Sequence, residues 1–109
     1  MNIELSGYIK NRMKELGFEN YLLRPFKIDI SAGQHKERFN AYNEYIFLVS
    51  DSIPADLIIH SDTEIFFSVI PESNRKFPIE FRGQISIESS ATVDFSLEFL
   101  RVIPISNGK

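Results

Sequence analysis

The chain has 109 residues, a net charge of −3 and 43% apolar residues, with ten Phe and no Cys. This length suits one domain with a single core, and the lack of Cys excludes disulfides, thiolate zinc sites and iron–sulfur clusters. No stretch reaches the roughly 18 apolar residues of a membrane span, and the cations are scattered among carboxylates, so neither a membrane nor nucleic acid is the expected partner.

The first predicted element is an amphipathic helix within residues 1–19, followed by a β domain over residues 20–109. Gly17 is expected to end the helix, and Gly7 weakens its beginning. A helix this short is not stable alone in water, so its apolar stripe must pack on the β domain or on another chain. The stripe, with spacings of four, four and three, consists of Leu5, Ile9, Met13 and Leu16.

After residue 20 the apolar period changes to two, which is typical of strands. Phe26–Ile30 is the first predicted strand, and Pro25 places its start near a sheet edge. The polar stretch Ser31–Asn43 predicts a long loop, either a contact element or simply a mobile one. Tyr45–Val49 then forms an uninterrupted apolar strand.

The second half of the chain predicts a hairpin from Asp56–His60 and Glu64–Ile70. Arg82 and Gly83 are interpreted as a tight turn between two short strands. In the last strand, Thr92–Val102, the adjacent Phe99 and Leu100 indicate either a bulge or a passage from a solvent-exposed face to a covered one.

Seven or eight short strands with frequent turns and no helical crossover predict an all-β fold. We expect an antiparallel two-sheet β-sandwich, jelly-roll-like, with a short N-terminal α-helix. No repeat or low-complexity segment interrupts this pattern.

The sequence contains no recognisable catalytic motif. It lacks a Gly-x-Ser-x-Gly elbow and a phosphate-binding loop, and its two histidines, His35 and His60, are too few for a zinc site. We expect no enzyme activity, no cofactor and no metal. The acids that could hold calcium are also ordinary turn residues; they are Asp51, Asp56, Asp62 and Glu64.

Several strands are apolar on both faces, which is more apolar surface than a two-layer sandwich can bury. The helix and the long loop could cover the outer faces, but exposed apolar patches usually mark interfaces. We therefore predict self-association or docking on a larger assembly. The predicted interface residues are Leu5, Ile9, Met13, Leu16, Phe66, Ile70 and Leu100.

The order of predicted strands and turns in residues 24–102 resembles that of small β-sandwich virion proteins of tailed bacteriophages. It comprises the entry strand, an apolar strand ending in Ser50-Asp51, a Phe-Arg-Gly-Gln-Ile segment at residues 81–85 and the long final strand. The resemblance implies a non-enzymatic capsid-decoration, neck or tail protein. It would be made in the host cytoplasm, reside in the virion, and bind copies of itself and neighbouring virion subunits.

A second hypothesis is a carbohydrate- or small-ligand-binding β-sandwich module. In it, Tyr42, Tyr45 or Phe66 would stack on a sugar ring, and loop acids would hold calcium or sugar hydroxyls.

Overall fold

The computed structural model describes residues 3–50, 53, 56–68 and 78–105. It is mostly antiparallel β-sheet with one N-terminal helix, as the sequence predicts. The described strands form a single sheet in the order β1-β6-β2-β5-β3-β4. The elements are α1 (Ile3–Glu15), β1 (Tyr21–Ile30), β2 (His35–Leu48), β3 (Leu57–His60), β4 (Ile65–Ser68), β5 (Ile79–Ser89) and β6 (Phe95–Pro104).

The end of α1 is capped at the predicted glycine. Gly17 has a φ of 90°, a conformation that glycine adopts without a steric penalty. The Phe18 N–H donates to the Met13 carbonyl at 2.9 Å, and the Gly17 N–H donates to the Lys14 carbonyl at 3.0 Å. These two bonds form a Schellman motif, which satisfies carbonyls that the helix leaves unpaired. Gly7 lies inside the helix rather than at its start.

β1 and β6 pair along their full lengths without a register shift, from Tyr21 opposite Pro104 to Ile30 opposite Phe95. Phe99 therefore faces the main core, while Leu100 faces the helix. The bulge predicted as one explanation of the adjacent Phe99 and Leu100 is therefore wrong. The passage from a solvent-exposed face to a covered one is confirmed, because Glu98 on the same face as Leu100 is exposed.

The predicted loop over Ser31–Asn43 is wrong. Only residues 31–34 connect β1 to β2, and β2 pairs with β5 from His35 onward. The inward-facing positions at the start of β2 carry His35 and Glu37 before Phe39, so the period of two is not visible as apolar alternation.

The predicted turn at Arg82-Gly83 is also wrong, since β5 continues through it. The β2–β5 register shifts between Ala41 and Ile46, and Gly83 lies beside this bulge with a φ of 82°. A Cβ atom at position 83 would overlap the carboxylate of Asp62. The glycine is thus required by a strand bulge instead of a chain reversal.

The bulge allows the sheet to bend around its core. β2 pairs with β6 only after the bulge, through Tyr45–Leu48. Before the bulge, the Phe39 ring lies 5.9 Å from that of Phe26 and 6.2 Å from that of Phe99, although β6 separates β1 from β2 in the sheet. Both parts of the bent sheet therefore share one core.

The predicted hairpin of β3 and β4 is confirmed, with Leu57 opposite Ser68 and His60 opposite Ile65. The Ser61 hydroxyl organises its turn by accepting the N–H groups of Thr63 at 3.2 Å and Glu64 at 3.0 Å. The final part of the predicted second strand, including Ile70, lies outside the described residues.

Candidate interaction surface

A second apolar cluster lies between α1 and the outer face of β2 and β6. Ile9 and Met13 of the helix are fully buried there against Phe47, Leu100 and Val102. The helix stripe thus packs on the chain's own sheet, one of the two options that the sequence leaves open. Three of the predicted interface residues, Ile9, Met13 and Leu100, are covered within the subunit.

The other predicted interface residues are placed differently. Leu5 and Leu16 are half-buried at the margin of the helix–sheet cluster. Phe66 is only 8% exposed and belongs to the main core, because its register with β3 puts it opposite the buried Ile59. Ile70 lies outside the part of the chain that the structure describes.

A charged network fastens α1 to the sheet. The guanidinium of Arg12 donates to both carboxylate oxygens of Glu80, at 2.7 and 3.2 Å, and to Glu15 at 3.3 Å. The pKa of Arg12 is raised above its usual value, chiefly by the hydrogen bond to Glu80. Arg82 lies 3.4 Å from Glu80 and stacks over the Tyr45 ring. The helix is therefore fixed by directional contacts as well as by apolar packing.

The β3–β4 hairpin presents an apolar surface to solvent. Ile58, Ile65 and Phe67 are 37%, 48% and 63% exposed. Ile58 lies directly opposite Phe67, and Ile65 lies opposite the exposed His60. We call the surface formed by Ile58, Ile65 and Phe67 the hairpin face.

Alternation along the two short strands produces the hairpin face. Leu57 and Ile59 point into the core, so Ile58 and His60 point outward. The face changes to polar character on β5, where Glu88 lies opposite Ile58 and Ser86 lies opposite His60. An apolar centre with a polar margin is the usual anatomy of a protein interface.

The apolar surplus of these strands is visible in the sequence, which predicts Phe66 as the interface residue of β4. The outward residues are Ile65 and Phe67. The signal that separates the two choices is the pairing register with β3, which the sequence does not encode locally.

The two histidines occupy separate places. His35 accepts the Ser31 N–H through Nδ1 at 3.2 Å, and its Nε2 lies 3.0 Å from a carboxylate oxygen of Glu37. Both ring nitrogens of His35 are thereby engaged in holding the crossover from β1 to β2. His60 lies beside the hairpin face.

Two of the acids considered for calcium, Asp62 and Glu64, accept backbone N–H groups, and Asp56 is exposed just before β3. Asp62 accepts the Gln84 N–H at 3.4 Å and rests against Gly83. Asp51 is not among the described residues. Across the part of the chain that is described, no group of three or more His, Asp or Glu side chains could hold a metal ion.

The three aromatic residues considered for sugar stacking do not share a surface. Tyr42 is exposed, whereas Phe66 lies in the main core. The Tyr45 ring packs against Phe18 at 6.1 Å beneath the guanidinium of Arg82. The described residues therefore provide no shared stacking platform from this set.

Among the described helical residues, none form a helix long and apolar enough to cross a membrane. Comparisons of the chain with protein-family models, curated proteins and solved structures gave no match.

Proposed function

We propose that the protein is a non-enzymatic structural subunit that assembles with copies of itself and with neighbouring subunits. The observation that carries this proposal is the hairpin face, on which Ile58, Ile65 and Phe67 are adjacent and exposed. Removing grouped apolar side chains from water lowers the free energy, so a partner that covers them is favoured.

A second copy of the chain is the proposed first occupant of the hairpin face. Most homo-oligomers are closed by symmetry, and a two-fold axis brings the same patch of both subunits together. In such a contact Phe67, the most exposed of the three residues, would lie near the centre as the anchor. The polar residues of β5 would then form the margin.

The resemblance to small β-sandwich virion proteins of tailed bacteriophages supports a place in a capsid, neck or tail. The shared core of the bent sheet supports a sandwich-like subunit, in which β1 and β6 form one layer. Under this proposal the chain is made in the host cytoplasm and resides in the virion.

Sedimentation velocity over a range of protein concentrations tests the proposal. The wild-type chain is expected to sediment as an oligomer at micromolar concentration, and Phe67→Glu is expected to sediment as a folded monomer. The matched control is Val93→Glu, which changes another exposed apolar residue outside the hairpin face. A wild-type monomer at all concentrations, or equal effects of both substitutions, would contradict the proposal.

A further inference from the structure

β1 forms one end of the described sheet and pairs only with β6. Just before β1, the Asn20 carbonyl accepts the Ile105 N–H at 3.0 Å, and the register continues unchanged from this pair. Hydrogen-bonded residues alternate along an antiparallel ladder, so the even-numbered residues of β1 bond to β6. The odd-numbered residues turn their backbone groups to the outer edge; they are Tyr21, Leu23, Pro25, Lys27 and Asp29.

This outer edge is protected against indiscriminate pairing. Pro25 has no N–H to offer, and Lys27 places a charge beside it, two devices that limit edge-to-edge association. The backbone groups of Leu23 and Lys27 on either side of Pro25 remain available. A strand that joins this edge must therefore do without a hydrogen bond from Pro25 and must accommodate the charge of Lys27.

An apolar groove lies next to the same edge. It has a volume of about 470 Å³ and lies on the helix side of β1 and β6. A side chain from a strand added to β1 would project over this groove, because residues directly opposite each other share a face. The groove is lined by Leu5, Leu23, Pro25, Phe26, Lys27, Glu98, Phe99 and Leu100.

We propose that β1 accepts an extended segment of a partner protein as an additional antiparallel strand. The segment carries a carboxylate opposite Lys27 and apolar side chains opposite Pro25 and Leu23. Leu23 and Lys27 each exchange a pair of hydrogen bonds with it, and Pro25 accepts one. Backbone bonds then supply affinity, while the groove and Lys27 supply specificity.

The inner neighbour of β1 already shows which side chains fit it. β6 places Glu98 opposite Lys27, Leu100 opposite Pro25 and Val102 opposite Leu23. One acidic and two apolar residues are therefore the cross-strand neighbours that these three positions of β1 have on the inner edge. The proposed partner segment presents the same pattern, acid-x-apolar-x-apolar, to the other edge.

The inference deepens the proposed function and rests on it, since it names a second contact of an assembling subunit. The two contacts lie at opposite ends of the sheet, because β1 and β4 are its terminal described strands. Using Phe67→Glu protein for the binding experiment removes association through the hairpin face. Failure of one proposal is thereby distinguishable from failure of the other.

The probe is a synthetic peptide that repeats residues 96–103 and ends in added lysines for solubility. It is titrated into 15N-labelled full-length protein, and backbone amides are followed by NMR and hydrogen exchange. We expect shifts and slowed exchange at the amides of Tyr21, Leu23, Lys27 and Asp29. Lys27→Glu is expected to weaken binding by about tenfold, and a peptide with Lys in place of its Glu restores it.

Arg24→Glu is the matched control, because Arg24 is an exposed cation on the opposite face of the same strand. It is expected to leave peptide affinity unchanged. The proposal is overturned if the odd-numbered amides do not respond, or if Lys27→Glu and Arg24→Glu act alike. If exchange at these amides slows when the protein concentration is raised without peptide, the edge is occupied by a second copy of the chain, and the proposal is likewise overturned.

Discussion

Two apolar surfaces on the outside of the sheet differ in solvent exposure. The outer face of β2 and β6 carries Phe47 and Leu100, and both side chains are buried beneath α1. The hairpin face carries Ile58 and Phe67, and no described element covers it. Both surfaces belong to strands that are apolar on two faces. Such a sequence pattern indicates that a second layer must cover the outer face, but it does not indicate whether the same chain or a partner supplies that layer.

The difference between these surfaces should appear in what each contributes to folding. Phe47 is fully buried and meets the Tyr8 ring edge-on at 6.3 Å, whereas Phe67 is mostly in water. The covered surface stabilises the subunit itself. The hairpin face can contribute free energy only when another molecule joins it.

Deleting residues 1–17 is expected to have the largest effect. The deletion uncovers Phe47, Leu100 and Val102 together, which is expected to lower the free energy of unfolding by about 5 kcal/mol or more. This loss is comparable with the total stability of a typical domain, about 5–15 kcal/mol. We expect the truncated chain to lose cooperative thermal unfolding by circular dichroism. A truncated chain that unfolds at the wild-type temperature would mean that α1 is not part of the folded body.

Phe47→Ala is expected to lower the free energy of unfolding by about 3–5 kcal/mol, the usual cost of emptying a buried phenylalanine site. Phe67→Ala should change it by less than about 0.5 kcal/mol. Urea denaturation at a concentration where the chain is monomeric measures both. Similar losses for the two variants would remove the distinction between the surfaces.

Gly83→Ala tests the bulge in the β2–β5 pairing, which lies between Ala41 and Ile46 of β2. The positive φ and the overlap with Asp62 are expected to cost about 1–3 kcal/mol. Gly7→Ala is the matched control, because it lies in α1 with open space around it and should stabilise the helix by about 1 kcal/mol. Denaturation curves in which Gly83→Ala is neutral would show that the bulge does not require glycine.

Arg12→Met is expected to lower the free energy of unfolding by only about 1 kcal/mol, because the Arg12–Glu80 pair is partly exposed. Met keeps the apolar stem and removes the charge, so the loss should shrink in high salt. Lys14→Met, at an exposed position of the same helix, is the control. An equal loss for Lys14→Met would show that the network does not fasten the helix.

Local signals predicted the helix, its end at Gly17, the β3–β4 hairpin and the change of environment along β6. These local signals failed where the same residue pattern is compatible with two different local structures. Gly83 suits a turn or a bulge, and only pairing with β2 decides between them. The polar residues from Ser31 to Asn43 suit a loop, yet most of them form a strand whose inward positions begin with His35 and Glu37.

The sequence predicts the apolar surplus of these strands, but none of the seven interface residues chosen from it belongs to the hairpin face. Alternation shows that some strands carry apolar side chains on both faces, which is local information. Which face stays open depends on where α1 docks and on the β3–β4 register, both of which are tertiary. The sequence alone therefore does not distinguish Phe66 from Phe67 as the outward residue of β4.

Side-chain footprinting at increasing protein concentration tests the central claim most directly. Carbene labelling read by mass spectrometry reports the solvent exposure of Ile58, Ile65 and Phe67 beside that of Leu5 and Leu16. We predict that labelling of the hairpin face falls as concentration rises, while labelling of the helix residues stays constant. Constant labelling of the hairpin face, or a fall confined to the helix, would contradict the account.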